Sequence, residues 1–333
     1  MSLTRFMDLA DFSREEVEDL IALSNHLQTH PEPQALAGKI LGLVFLNPSL
    51  RTLASFQAGM ARLGGNSFVI TPGQGTWGLE TRLGVRMDGS AAEHVREGLP
   101  VLASFCDALA IRAFADGKNL AADVADSTFK AMADLIDKPF INMESAINHP
   151  CQALADWKTL NDLEIAPRAK FVLSWVPHPR ALPLAVPAAA LHMAALRGHE
   201  VVVARPDGFA LPEEVMARAR AAAAQSGGSV TETDDQQAAM QGAHVLYAKE
   251  WGCTRHYGDA AADAALRAGL EHWQVNNDTF QGAVADCRLM HCLPVRRNVA
   301  VHEAVLDGPR SVVLKEAHNR LVVQMAVLHR LLA

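Results

Sequence analysis

Apolar and polar positions change period repeatedly along the chain, and the changes mark its elements. Residues 14–28 place apolar side chains at helical spacing behind Ser13, a candidate N-cap. Residues 42–46 form a short, nearly all-apolar run, which predicts a buried strand. A polar turn follows, then a helical pattern over 53–63 that stops at Gly64-Gly65. The same alternation predicts a strand at 66–70, a helix at 92–104, a strand at 108–111, a helix at 124–136 and a strand at 140–143.

A second series begins near Asn148, with a helix at 149–160, a strand at 170–175, a helix at 184–196 and a strand at 200–204. A helix at 212–223 closes at Ser226-Gly227-Gly228. Short strands are predicted at 230–232, 245–248, 289–291 and 312–314, and a last helix from near Asn319. Strands alternating with helices predict an α/β fold with parallel sheets. Two such domains fit the chain, 1–147 and 148–318, with 319–333 as a C-terminal helix. Parallel sheets present ligand loops at the carboxyl ends of their strands.

Composition narrows the function. The chain is 333 residues long and 50% hydrophobic, enough for two ordinary cores. A formal net charge of −7 gives no general attraction to nucleic acid or acidic membranes. The first apolar stretch is broken by Asp8, Asp11, Arg14 and Glu15, unlike a signal peptide, and no run is long enough to span a bilayer. Cys106, Cys151, Cys253, Cys287 and Cys292 are scattered and form no CxxC pair. A reduced, cytoplasmic protein without metal or cofactor is the expectation.

The chemistry gathers at predicted strand ends. Ser49-Leu50-Arg51-Thr52 lies where a strand leaves a turn and a helix begins. Unsatisfied N–H groups and the helix dipole favour an anion there, with hydroxyls from Ser49 and Thr52 and a guanidinium from Arg51. The segment lacks the glycines and lysine of a P-loop. An ordinary helix cap with a surface arginine explains it equally well when it is taken alone. Arg112 follows another strand, and His149-Pro150-Cys151-Gln152 opens a helix at the predicted domain junction. His291-Cys292-Leu293-Pro294-Val295-Arg296 follows a third strand, and Arg320 stands at the head of the last helix.

In this order and spacing these segments resemble the transcarbamylase family over almost the whole chain. Ser49-Leu50-Arg51-Thr52 is similar to its carbamoyl phosphate loop, and His149-Pro150-Cys151-Gln152 and His291-Cys292-Leu293-Pro294 to two further site motifs. The resemblance implies an N-terminal carbamoyl phosphate-binding domain, a C-terminal domain for the amino substrate, and a final helix packed back on the first. It also implies a homotrimer with Trp77 near a neighbouring subunit's site. Departures from the family pattern are Leu53, where an arginine commonly stands, and Ala300, where an acetylornithine enzyme can have a lysine.

Tyr247-Ala248-Lys249-Glu250-Trp251-Gly252 occupies the region where ordinary ornithine enzymes carry a Ser-Met-Gly loop that reads the free α-amine. A lysine suits an acylated amine or a carboxylate better. The resemblance therefore points to an acceptor of the Nα-acyl-L-ornithine type within arginine biosynthesis. Ala92 stands where acetylornithine enzymes have a glutamate and succinylornithine enzymes a proline. An alanine does not repel the distal carboxylate of a succinyl group, which favours N-succinyl- over N-acetyl-L-ornithine. An ordinary ornithine carbamoyltransferase and a non-catalytic phosphometabolite-binding protein are the alternatives.

On this resemblance Ser49, Leu50, Arg51 and Thr52 hold the phosphate, and Arg112 bridges phosphate and carbonyl. His149 polarises the carbonyl and Gln152 orients the carbamoyl NH₂. Cys292 and Leu293 accept through their backbone carbonyls, and Arg296 and Arg320 are further oxyanion or phosphate contacts. Ala92, Glu144, His178, Arg180, Lys249, Cys292, Leu293 and Arg296 are assigned to the acyl-ornithine end.

Overall fold

The computed structural model describes residues 3–333. Their backbone falls into two units, each built on a parallel sheet. Among the described residues the first comprises 3–115, Ala125–Cys151 and Arg320–Ala333; the second comprises Asp116–Val124 and Gln152–Asn319. Helices Pro150–Asp162 and Val313–Leu332 are each divided between them.

The first unit contains β1 (Arg5–Phe6), β2 (Ile40–Phe45), β3 (Asn66–Ile70), β4 (Leu79–Glu80), β5 (Glu93–His94), β6 (Ala108–Arg112) and β7 (Phe140–Glu144). Its main sheet runs β1-β7-β6-β2-β3, all parallel, and β4 pairs with β5. β6 and β7 are buried along their whole length, as expected of strands covered on both faces. Helix Leu50–Arg62 ends beside Gly64, whose φ of +84° is left-handed; a side chain there would collide with the Pro33 carbonyl. Gly59 of that helix lies against Leu321, Met325 and Leu328, so the C-terminal helix packs on this unit.

The second unit contains β8 (Lys170–Trp175), β9 (Glu200–Ala204), β10 (Ser229–Thr233), β11 (Val245–Lys249) and β12 (Arg288–Met290), parallel in the order β10-β9-β8-β11-β12. Every residue of helix Ala185–Leu196 is buried. Its apolar, alanine-rich sequence has no polar face to give to water, which makes it a core helix.

Three predicted elements differ. Residues 312–314 are not a strand: Ser311 makes one isolated bridge to Leu289, and helix Val313–Leu332 begins there, ahead of Asn319. A short apolar run alone does not separate strand from helix. The 124–136 helix is interrupted at Asp126, whose φ is +55°, leaving Leu120–Ala125 and Ser127–Ala133. The Asp126 carboxylate instead accepts from Ser145 Oγ at 2.5 Å and from the Ala146 N–H at 3.2 Å. Helix Val95–Ser104 starts three residues later than its pattern, because the His94 ring accepts from the Arg96 N–H as the cap.

Candidate active site

In the first unit the candidate residues converge at the carboxyl ends of β2, β6 and β7, which are neighbours in the sheet. Ser49 caps helix Leu50–Arg62: the Thr52 N–H donates to its Oγ at 3.3 Å, and the Ser49 hydroxyl donates to Thr52 Oγ1 at 2.9 Å. Thr52 is buried and also accepts from Arg320 Nη2 at 2.5 Å. Asn47 Oδ1 accepts the Phe114 N–H at 2.7 Å, tying the loop after β2 to the loop after β6. Arg51 lies in the first helical turn, with Leu50 largely exposed beside it.

Arg112 ends β6 and Glu144 ends β7, opposite each other in register. Their buried side chains form an ion pair, and His149 Nε2 lies 3.4 Å from the same Glu144 oxygen. The Asp126 carboxylate holds the turn that leads to His149, and Pro150 fits the first helical position behind it. Burial and then the charges of Arg320, Arg112 and Arg51 keep the His149 ring well below its ordinary pKa, so it is a neutral imidazole. Burial also lowers Arg320, with Arg112 and Arg51 adding repulsion. Three guanidiniums and one carboxylate thus surround one neutral ring. The group carries excess positive charge suited to an oxyanion.

Glu144, assigned above to the acyl-ornithine end, sits in this unit with Arg112 and His149. Trp77 is 61% exposed and donates its indole N–H to Glu93 at 2.6 Å. Ala92 is exposed just ahead of β5.

In the second unit the remaining candidates lie at the carboxyl ends of β8, β11 and β12, again adjacent strands. Lys249 ends β11 and pairs with Glu250 at 2.7 Å, both buried. Burial raises the Glu250 carboxyl, but the Lys249 charge and hydrogen bonds from Lys249 and His291 outweigh it and hold the group ionised. His291 Nδ1 accepts the Leu293 N–H at 2.9 Å, so its proton lies on Nε2, which faces Glu250 at 3.3 Å. This contact shapes the turn in which Leu293 takes a φ of +55°.

The Cys292 thiol is buried, and burial pushes it up to about 12. It is therefore a thiol and not a nucleophile at neutral pH. His178 follows β8; burial lowers its pKa, and its Nε2 accepts from Arg296 Nε at 3.4 Å. The proton is therefore on His178 Nδ1, which donates to the Arg180 carbonyl at 2.9 Å. Arg180 and Arg296 are both exposed.

Gln152, also counted with this unit, donates through Nε2 to Asp156 at 2.8 Å and Glu316 at 3.2 Å. Asp156, Tyr247, Glu316 and Glu250, like Asp126 in the first unit, received no role in the sequence reading. Asp156 meets Tyr247 across 91 residues and Glu316 meets Gln152 across 164, so no local motif marks these contacts.

One parallel α/β unit carries an arginine-rich cluster suited to an oxyanion, and the other a buried lysine–glutamate–histidine chain. Residues 4–162 match the carbamoyl-P binding domain, and residues 186–331 the Asp/Orn binding domain, of aspartate/ornithine carbamoyltransferase. The chain belongs to the aspartate/ornithine carbamoyltransferase family. It is 36% identical over 340 residues to the N-acetylornithine carbamoyltransferase of Xanthomonas campestris pv. campestris, covering 98% of this chain and 97% of that one. It is 35% identical over 297 residues to the N-succinylornithine carbamoyltransferase of Bacteroides fragilis, covering 88% and 87%.

Among solved structures, acetylornithine transcarbamylase complexed with acetylcitrulline superposes with a TM-score of 0.94 at 36% identity, over 99% of this chain and 100% of that one. A glutamate-to-alanine mutant of N-acetyl-L-ornithine transcarbamylase, complexed with carbamyl phosphate and N-succinyl-L-norvaline, gives 0.95 at 36% identity over the same shares.

Proposed function

We propose that the protein transfers the carbamoyl group of carbamoyl phosphate to the δ-amine of an Nα-acylated L-ornithine, releasing phosphate and an N-acyl-L-citrulline. The observation that carries the donor half is the cluster of Arg51, Arg112 and Arg320 around a neutral His149. Ser49, the backbone at Leu50, Arg51, Thr52 and Arg320 bind the phosphate, with Trp77 of a neighbouring copy closing over it. Arg112 and His149 meet the carbonyl oxygen, where negative charge grows as the amine attacks. Neutral His149 has one N–H, which it donates to that oxygen. Gln152 accepts from the carbamoyl NH₂. Cys292 and Leu293 serve through their backbone carbonyls.

The acceptor half rests on the buried Lys249–Glu250–His291 chain and on relatives named for acylated ornithine. Lys249, Arg180 and Arg296 supply positive charge for the acceptor's carboxylates, with His178, Glu144 and Ala92 completing its surroundings. Acylation removes the α-ammonium, which a cationic pocket would repel.

N-succinyl-L-ornithine is the favoured acceptor. Ala92 offers no charge against a distal carboxylate, and an alanine-for-glutamate mutant of an acetyl enzyme was solved with a succinyl compound. N-acetyl-L-ornithine is the second reading, favoured by the longer match to the acetyl relatives. Initial rates with N-succinyl-, N-acetyl- and free L-ornithine at equal concentration decide among them. Succinyl turnover exceeding the other two is expected, and preference for free ornithine contradicts the reading.

The same reading makes the protein a homotrimer acting in arginine biosynthesis in the cytoplasm. Exposed Trp77, Leu83 and Met87 on one segment support coverage by a neighbouring copy. Among the described residues all five cysteines are free, which fits a reducing compartment, and no helix is long and apolar enough to cross a membrane. Sedimentation equilibrium tests the trimer: a monomer at assay concentration rejects it.

A further inference from the structure

Within the second unit Gln152, Asp156, Tyr247, His291 and Glu316 are all buried and joined by hydrogen bonds. Gln152 Nε2 donates to Asp156 Oδ1 at 2.8 Å and to Glu316 Oε1 at 3.2 Å. The Tyr247 hydroxyl donates to Asp156 Oδ2 at 3.0 Å, and the His291 N–H to Glu316 Oε2 at 2.8 Å. One nitrogen, Gln152 Nε2, thus lies within hydrogen-bond distance of an oxygen of each buried carboxyl group. Two buried carboxyl groups gathered on one nitrogen resist ionising together, which favours one proton between them.

We propose that Asp156 and Glu316 share one proton and act as a positioning pair that fixes the Gln152 amide with its carbonyl oxygen as the sole group left for a ligand. Both amide hydrogens are engaged by the pair, and Gln152 Oε1 is buried without a hydrogen-bond partner. A buried acceptor in that state favours a ligand N–H and disfavours a methyl group of the same size. The pair thereby selects carbamoyl phosphate over acetyl phosphate, whose methyl stands where the NH₂ would be. Through Glu316 it also holds the His291 N–H, and so ties Gln152 to the Cys292–Leu293 turn. The identity of the ligand rests on the carbamoyl-transfer reading; the shared proton does not.

The direction of titration agrees. Burial, then the Asp156 charge, push the Glu316 carboxyl well above its ordinary range. Burial and then the negative charge of the carboxyl pair likewise push the Tyr247 hydroxyl upward, so it stays a donor. The groups facing the pair are thus Tyr247 on β11 and His291 and Cys292 after β12. Lys249 and Glu250 act on the same Cys292.

Two measurements on the full-length protein test the proposal. Difference infrared spectra between neutral and alkaline pH read the protonated carboxyl directly. A buried protonated-carboxyl band in the wild type that is absent from Glu316→Gln is expected; a band unchanged in that variant overturns the shared proton. Calorimetric binding of carbamoyl phosphate and acetyl phosphate, without acceptor, reads the positioning. Glu316→Ala is expected to reduce the preference for carbamoyl phosphate about tenfold or more, and Glu316→Gln to restore part of it. Should Glu316→Ala fail to fold, Asp156→Asn is the second variant, with the same expected loss. Discrimination unchanged in every folded variant overturns the positioning role. If the wild type binds carbamoyl phosphate but transfers nothing, the transfer reading fails while both measurements still decide the pair.

Discussion

Arg320 Nη2 lies 2.5 Å from Thr52 Oγ1, joining two residues 268 positions apart in the sequence. The same oxygen accepts the Ser49 hydroxyl. With both lone pairs engaged, the Thr52 hydroxyl hydrogen is directed elsewhere. On the proposed function it donates to the phosphate, and the helix cap forms half of an anion clamp.

Thr52→Val keeps the shape but removes that donor and strands two others. It is expected to lower kcat/KM for carbamoyl phosphate by roughly ten- to a hundredfold. Thr52→Ser is expected to recover most of the loss. Equal activity in the two variants would reject the donor role.

Arg51→Ala removes one guanidinium from the cluster around His149. A loss of about a hundredfold or more in carbamoyl phosphate kcat/KM is expected, with the change in acceptor KM much smaller. Steady-state kinetics with each substrate varied separately measures this. Unchanged kinetics would remove Arg51 from the clamp.

The neutral His149 has a consequence for stability. Its pKa is depressed in the folded chain, so below about pH 6.5 the unfolded chain binds a proton that the folded one does not. Stability contributed by this group is complete above that pH and is lost as pH falls toward the folded value. Melting temperatures measured on acidification are expected to fall less in His149→Asn than in the wild type. A parallel fall in both would show that His149 is charged in the fold.

Cys292 is a thiol at neutral pH because burial pushes it up to about 12. Alkylation by iodoacetamide at neutral pH is expected to be slow, and Cys292→Ser to cost far less than the loss of a covalent nucleophile. Trapping of a carbamoyl-cysteine during turnover would overturn this assignment.

On the proposed function the acceptor preference turns on Ala92. A carboxylate placed there by Ala92→Glu would repel the distal carboxylate of a succinyl group by about 1 kcal/mol or more at close range, depending on solvent access. The ratio of succinyl to acetyl kcat/KM is expected to fall about tenfold. A ratio that does not move would detach Ala92 from the acceptor.

What was legible in the sequence was local. The Ser49 cap, the Gly64 stop and the strand-end position of Arg112 follow from short-range backbone chemistry, and the alternating periods gave both parallel sheets. The family motifs then linked residues that spacing alone could not join. The carboxyl pair was invisible because Asp156 meets Tyr247 across 91 residues, and Gln152 meets Glu316 across 164. The early start of helix Val313–Leu332 escaped because Val312-Val313-Leu314 suits a strand as well as a helix. Leu53 is half-buried in the first turn of its helix, and nothing in the structure explains why an arginine is absent there. Ala300 is fully buried, with its backbone bonded to Arg296 and Val275.

The most direct test follows the carbonyl carbon itself. Carbamoyl phosphate labelled at that carbon is incubated with N-succinyl-L-ornithine and the protein, and the product is read by carbon NMR alongside released phosphate. The expected result is a labelled ureido carbon on the δ-nitrogen of the acylated acceptor, formed in equal amount with phosphate. Label recovered only in the spontaneous breakdown products of carbamoyl phosphate, with neither acylated acceptor carbamoylated, would contradict the account.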